Sequence, residues 1–305
     1  MDIPEYFLQK ASRQFDDLGP AWVRELPSQL DRCVDTWQLR ECRPIEDLSI
    51  NLVCYAKSRQ YGEVVLKIQG PHTERYTEIT ALQLYSGRHS CRLHAVDTSI
   101  PALLLERILP GSCLKSLKDK DEQLQIGVEM IAKLPIPIEN DYGLPNYFMW
   151  LENVTKRMHC EFHPDTTMKN LLTAAHGFYE DIEPSREPLV LLHGDLHHEN
   201  ILRRGDSDWV AIDPQGVVGA AFLEAGRFLQ NHVIPEQGSI RPDETARAIA
   251  VVAEGLGQPW HRIAKTLFIL HLLSLCWNYE MKEEPRLLNI EKQQCLDLIE
   301  LIQRY

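Results

Sequence analysis

The chain has 305 residues, 44 of them acidic and 32 basic, for a formal net charge of −12 at neutral pH. With 44% hydrophobic and 25% charged residues, this composition excludes a disordered chain and allows a core large enough for two lobes. The acidic balance argues against nucleic acid or an anionic membrane as partner, because no basic stripe exists to release phosphate counterions, and it leaves room for a cationic small molecule.

Met1–Lys10 has no basic segment followed by an apolar run, so no signal peptide is expected. The eight cysteines contain no CxxC pair and read as reduced thiols of a cytoplasmic protein. His159, Cys160 and His163 form the one tight His/Cys cluster, and it lacks a fourth partner at metal-binding spacing.

In chain order, the first thirty-five residues carry helical patterning. Phe7, Ala11 and Phe15 share one face, Trp22, Leu26 and Leu30 another, and Pro20 and Pro27 punctuate them. Strands are predicted over Thr36–Leu39, Ser49–Ala56 and Glu63–Ile68, the last introduced by the turn-like Gln60-Tyr61-Gly62. A helix opened by Pro71 and Thr73 runs to about Ser86, where Gly87 stops it. One more strand, Ala102–Ile108, ends at Pro110-Gly111. Beyond it the chain turns helical, with helices over 121–133, 145–159, 166–179, 221–231, 241–255, 259–281 and 289–304. Strands Leu189–Leu192 and Trp209–Ile212 interrupt them. The apolar stretch Trp260–Trp277 is broken by His261, Arg262, Lys265 and His271, which suits a buried helix and not a membrane span. The sum is an α+β chain: a small β-rich N-terminal lobe over 1–109 with a nucleotide role, and a larger, mainly helical lobe over 110–305 with the catalytic loop and acceptor site.

The sharpest chemical signal is His193-Gly194-Asp195-Leu196-His197-His198-Glu199-Asn200, followed by Ile212-Asp213-Pro214. An acid and an amide five residues apart on a loop after an apolar strand, with a second acid at the end of a later strand, suit phosphoryl transfer. Hard oxygen ligands must hold the divalent ion, and another carboxylate must orient the accepting hydroxyl. Asp195 is therefore assigned as the base, and Asn200 and Asp213 as magnesium ligands.

Lys67 lies near the end of a buried-looking strand, where a lysine is costly unless paired. Glu78, eleven residues on, is the expected partner that aims it at the ATP phosphates, with Glu74 as its rival one turn earlier. The segment Leu103–Gly111 would be the hinge, with the Glu106 carbonyl and the Ile108 amide holding the adenine edge.

Together these residues resemble the aminoglycoside/hydroxyurea phosphotransferase family, of the streptomycin 6-phosphotransferase type. The resemblance runs from Ala21-Trp22 through Leu26-Pro27, Thr36-Trp37-Gln38-Leu39, Val65-Leu66-Lys67-Ile68, Glu78 to Gly87 and Leu104–Gly111, to Leu192–His197 and Ile212–Gly216. It implies a protein-kinase-like two-lobed fold, ATP with Mg2+, and transfer of the γ-phosphoryl group to a hydroxyl of a small polar molecule. An aminoglycoside such as streptomycin is the expected acceptor, with a sugar or amino-alcohol kinase or a catalytically silent regulator as alternatives. By the same analogy Glu224 would be a buried acid bracing the catalytic loop, against the alternative of an ordinary helix-start carboxylate.

The chain departs from the family at several places. Residues 40–48 contain no glycine, so the backbone around Ser49–Asn51 would have to cover the phosphates. Glu199 adds a negative charge that either favours an aminated substrate or faces solvent. Gln215 stands where the family often has lysine, and Ala220 where it is often acidic. The acceptor site is expected in parts of 145–179 and 259–281, with Trp277, Asn278 and Glu280 as contributors or as ordinary packing residues. Oligomeric state leaves no mark in the sequence.

Overall fold

A computed structural model describes residues 3–46, 48–71, 75–140 and 142–305. The chain forms two compact units, one of residues 1–112 and 203–215, the other of 113–202 and 216–305.

The first unit begins with two helices, α1 (Glu5–Gln14) and α2 (Gly19–Thr36). Phe7 and Ala11 of α1 and Trp22, Leu26, Leu30 and Cys33 of α2 are buried together, and the edges of Phe7 and Phe15 meet the Trp22 ring at 6.1 and 5.6 Å. Pro27 does not stop α2; it lies on the exposed side, where the helix runs through the proline. The helix also overruns the expected first strand. Thr36 ends α2, Gln38 takes a left-handed φ of 51°, and β1 starts at Leu39 (Leu39–Pro44). Packing of the Trp22–Leu30–Cys33 stripe carries the helix past residues whose own preference is extended.

Strands β2 (Leu52–Ser58), β3 (Gly62–Ile68), β4 (Leu93–Asp97) and β5 (Ala102–Glu106) complete an antiparallel sheet in the order β1-β2-β3-β5-β4. The second strand thus begins three residues later than expected, and β4 was not foreseen. Alternation along the sheet puts Leu52, Cys54 and Ala56 of β2 and Val64, Leu66 and Ile68 of β3 into one core with α1 and α2. Lys67, between Leu66 and Ile68, faces the other way, toward α3 (Arg75–Tyr85). The expected opening of that helix at Thr73 and the rival acid Glu74 lie outside the described residues. Helix α3 ends as foreseen before Gly87, whose φ of +78° suits a residue without a Cβ. Later, Arg203–Gln215 joins this unit: Ala211 pairs with Ser90, and the Cys91 amide donates to the Ala211 carbonyl at 2.8 Å.

The second unit holds α4 (Lys120–Lys133), α5 (Tyr147–Arg157), α6 (Thr166–Asp181), α7 (Glu224–Val233), α8 (Pro242–Gly255), α9 (Trp260–Glu280) and α10 (Pro285–Arg304). Side-chain carboxylate or amide oxygens of Asp119, Asn146 and Asp165 accept backbone N–H bonds at the starts of α4, α5 and α6. Helix α5 passes into a π-helical turn, Met158–Phe162, that ends at left-handed His163.

The apolar stretch predicted as a buried helix is α9, which packs against α6, α7, α8 and α10 and is buried almost continuously from Ile263 to Cys276. Among the described residues no helix is long and apolar enough to cross a membrane.

A three-stranded antiparallel sheet, with Val190–Leu192 between Ile136–Pro137 and Val217–Gly219, ends at the loop His193–Asn200. Helix α7 is set close to α4 by Gly127, where an added Cβ would lie 1.9 Å from Phe228 Cζ. All eight cysteines are free; Cys33, Cys54, Cys91, Cys276 and Cys295 are buried, and Cys160 is exposed on the π-helical turn.

Candidate active site

In the first unit, Lys67, Glu78 and Asp213 come together. Lys67 Nζ donates to Glu78 Oε1 at 2.7 Å and to Asp213 Oδ1 at 2.9 Å. Gln69 Nε2 donates to the other Glu78 oxygen at 2.6 Å. Burial of Lys67 works against its charge, but the carboxylates of Asp213 and Glu78 outweigh it and hold the ammonium protonated well above its ordinary range. The buried lysine is therefore fixed by two partners, one on α3 and one brought by the returning segment. Asp213 sits in the left-handed region at φ 58° with its side chain 47% exposed, a strained position that turns a carboxylate outward from a strand end.

Nearby, the amide of Gly70 donates to Asn51 Oδ1 at 2.9 Å, tying residue 51 of the expected phosphate-covering segment to the end of β3. Glu106 closes β5 opposite Val64, its backbone N–H bonded to the Arg92 carbonyl at 2.8 Å and its carboxylate to the Arg92 N–H at 3.1 Å. Ile108 is buried just beyond it.

In the second unit, the loop after Val190–Leu192 is held from below by Glu224. This residue is fully buried and accepts N–H bonds from His193 at 2.5 Å and Gly194 at 3.1 Å. Burial raises its pKa to about 7 against the two amides that favour the carboxylate, with the charge of Asp195 adding to the rise. Of the two roles open for Glu224, the structure has the brace.

Asp195 and Asn200 meet on this loop. Asn200 Nδ2 donates to the Asp195 carbonyl at 3.0 Å and lies 3.5 Å from Asp195 Oδ2. With its amide nitrogen so engaged, Oδ1 is the remaining side-chain acceptor of Asn200, which is buried.

Several residues at this loop escaped sequence reasoning. Arg227 Nε donates to Asp195 Oδ1 at 2.6 Å and Nη1 to Gln230 Oε1 at 3.0 Å. It stands one turn after Glu224 on the same face of α7, and that spacing was the available signal. Tyr147 is buried with its hydroxyl unpartnered; burial first, then the charges of Glu224 and Asp195, push its pKa up.

Glu199, left open by the sequence between favouring an aminated substrate and facing solvent, is paired within the protein. Lys115 and His197 both bind it, the latter at 2.9 Å. Burial would raise its carboxyl, but the hydrogen bonds from Lys115 and His197 outweigh that and hold it at about 2. Its charge is thus neutralised locally.

The three residues named for the acceptor wall are engaged in packing. Glu280 takes both bonds of Arg157, Asn278 donates to Glu291 at 2.8 and 3.1 Å, and Trp277 stands edge-on to Trp150. Among the described residues no group of three or more His, Cys, Asp or Glu side chains is arranged to hold a metal ion, His159, Cys160 and His163 included.

Comparison with known proteins bears on this geometry. The sequence profile of the family described as "Aminoglycoside/hydroxyurea antibiotic resistance kinase" matches residues 41–281. The chain is 28% identical over 288 residues to streptomycin 6-kinase of Streptomyces glaucescens, covering 92% of each chain. It is 28% identical over 222 residues to streptomycin 6-kinase of Streptomyces griseus, covering 71% of each. Among solved structures, a choline/ethanolamine kinase family protein from Mesorhizobium loti superposes with a TM-score of 0.66 at 15% identity, covering 89% of this chain and 95% of its own, which shows the fold. The α+β, protein-kinase-like two-lobed fold expected from the sequence is the fold observed. The chain belongs to the aminoglycoside/hydroxyurea antibiotic resistance kinase family and is an ATP-dependent phosphotransferase.

Proposed function

We propose that the acceptor is a hydroxyl group of an aminoglycoside, streptomycin or a compound like it, and that the enzyme works with ATP and Mg2+ in the cytoplasm. The observation that carries the reading is the braced loop: Asp195 is pinned through Oδ1 by Arg227 at 2.6 Å, while Oδ2, with the longer contacts of Asn200 Nδ2 at 3.5 Å and His197 Nε2 at 3.6 Å, can meet a substrate hydroxyl. A carboxylate so positioned orients the hydroxyl and takes up its proton as the phosphoryl group transfers. Asn200 Oδ1 and the Asp213 carboxylate are hard oxygen donors of the type magnesium requires, and they would hold the ion, which neutralises phosphate charge when bound. Lys67, paired with Glu78, supplies the ammonium for the α- and β-phosphates. The Glu106 carbonyl and Ile108 amide would hold the adenine edge. The domain roles follow, with residues 1–109 serving the nucleotide and 110–305 the acceptor, although Asp213 comes from the segment that returns to the first unit.

The test is ADP release by the purified protein over a panel of streptomycin, other aminoglycosides, sugars and amino alcohols. Turnover with streptomycin is expected. Turnover confined to sugars or amino alcohols would replace the proposed acceptor, and ATP binding without any turnover would leave a regulator. Asp195→Asn should abolish transfer while ATP affinity stays nearly unchanged; near-normal turnover would remove Asp195 as the base.

A further inference from the structure

A row of polar side chains runs from the catalytic loop through α7 and α9 to α10. It starts at Arg227, whose Nε donates to Asp195 Oδ1 at 2.6 Å and whose Nη1 donates to Gln230 Oε1 at 3.0 Å. Ser274 of α9 donates its hydroxyl to the same Gln230 oxygen at 3.2 Å. On its other side, Gln230 Nε2 stands 3.2 Å from His271 Nδ1, one turn before Ser274 on α9. The His271 ring is also hydrogen-bonded to the Gln294 side chain and the Glu291 backbone of α10. Gln294 Nε2 in turn donates to the carbonyls of Pro235 and Gly238, at 2.9 and 2.8 Å, in the segment after α7.

Chemistry fixes the direction of each link. A guanidinium only donates, so an oxygen must face Arg227 and the Gln230 amide cannot flip. Its NH2 group therefore faces His271, and Nδ1 of that ring accepts. Burial holds the His271 pKa at about 4, so the ring is neutral at pH 7, with its one proton on Nε2. That proton is taken up by α10, through the Gln294 side chain and the Glu291 backbone. Gln294 keeps its NH2 group for the two carbonyls. Every donor thus points away from Arg227, an order in which each bond polarises the next. Gln230, His271 and Gln294 are all buried, so a broken link leaves polar atoms without partners.

We propose that Gln230, His271 and Gln294 are positioning residues for phosphoryl transfer: they fix the guanidinium of Arg227, and Arg227 fixes the carboxylate of Asp195. This deepens the reading of Asp195 as the base and rests on it. Asp195 alone would hold Arg227 through Nε, leaving the long side chain free to swing. The Gln230 oxygen on Nη1 adds a second fixed point that sets the plane of the guanidinium, and Ser274 keeps that oxygen in place. A base displaced by about 1 Å loses on the order of a hundredfold in rate, so the row acts on kcat.

Gln230→Met keeps the size of the side chain and removes its bonds, whereas Gln230→Glu keeps an oxygen for Arg227 and Ser274. Their kinetics are followed as ADP release with streptomycin, or with whichever panel compound the wild type turns over. Gln230→Met should lower kcat at least tenfold, with KM for ATP and for the acceptor within twofold of wild type. Gln230→Glu should restore at least half of the wild-type kcat. Gln294→Met, two links further on, should lower kcat about threefold with KM equally unmoved. In an Arg227→Met background, Gln230→Met should bring no further loss, since nothing is left to position. Equal losses in the Met and Glu variants, additive losses in the double variant, or full kcat in Gln230→Met would each overturn the proposal. Long-range 15N–1H NMR of histidine-labelled wild type at pH 7 checks the row without any acceptor. His271, assigned by its loss in His271→Gln, should carry its proton on Nε2, and a proton on Nδ1 overturns the row. The two readings fail separately. Near-normal turnover by Asp195→Asn removes the base and this role with it. Loss of turnover in Asp195→Asn beside full kcat in Gln230→Met refutes the positioning row alone.

Discussion

Replacing Glu224 by glutamine tests how the catalytic loop is held. The carboxylate is fully buried and receives two backbone N–H bonds, from His193 and Gly194. A glutamine of the same shape keeps one acceptor oxygen and turns an NH2 group toward the other amide, so one charge-assisted bond is lost and one buried N–H is orphaned. Each is worth about 1.5–3 kcal/mol, giving a loss of about 3–6 kcal/mol at pH 8, where the carboxylate is ionised.

The pH dependence sharpens the test. The folded-state pKa is raised from 4.5 to about 7, so the native protein holds a proton there that the unfolded chain has released. Stability from this group is full below pH 4.5 and declines as pH rises through 7. At about 1.4 kcal/mol per pH unit over two and a half units, the decline is about 3 kcal/mol. Urea unfolding of wild type and Glu224→Gln at intervals from pH 5 to 8 isolates it, because all other titrating groups cancel in the difference. The wild-type curve should fall relative to the variant as pH rises, and the variant's kcat should drop about a hundredfold from loop displacement. Parallel stability curves, or full kcat in the variant, would refute the brace.

Lys67→Met leaves Glu78 buried without its cation and should cost about 3–5 kcal/mol in urea unfolding, while Lys67→Met/Glu78→Gln recovers much of that stability without recovering kinase activity. Gly127→Ala should lower stability by about 1–3 kcal/mol, since the new methyl group meets the Phe228 ring that stacks on His198 of the catalytic loop; an unchanged melting temperature would show that α4 and α7 can separate without penalty. Burial lowers the pKa values of His198, His232 and His271 to about 3, 4 and 4, so their contribution is present above pH 6.5 and is lost as pH falls toward 4. His232→Gln should therefore flatten the acid limb of the stability curve, and an unaltered limb would assign acid unfolding to other groups.

The parts legible in the sequence were those whose signal is local. Lys67 and Glu78 lie on adjacent elements, and alternation along β3 leaves the lysine facing α3. The loop from His193 to Asn200 carries its acid and amide within one turn of chain. The helices of the second unit follow from apolar periodicity, to within a few residues at their ends. The pairing of Asp213 with Lys67 spans 146 residues and has no sequence mark beyond the strand end it closes.

Arg227, Lys115 and His271 were missed for a related reason. Each is an ordinary-looking residue on a helix or short turn whose importance comes from what the tertiary fold sets against it. The overrun of α2 into Thr36 has the same origin, since a packed stripe outweighs the preference of two or three residues.

The distribution of thiols has a practical consequence for following this enzyme in solution. Burial pushes the Cys33 thiol up to about 12 and raises those of Cys91, Cys276 and Cys295, which suppresses their nucleophilic form at neutral pH. Cys160, on the exposed turn after α5, is the most accessible thiol. A maleimide fluorophore added in slight excess will modify it first, giving a dye at a known point of the helical unit without altering the genetic sequence, and a reporter for small-molecule titrations that needs no radioactive nucleotide.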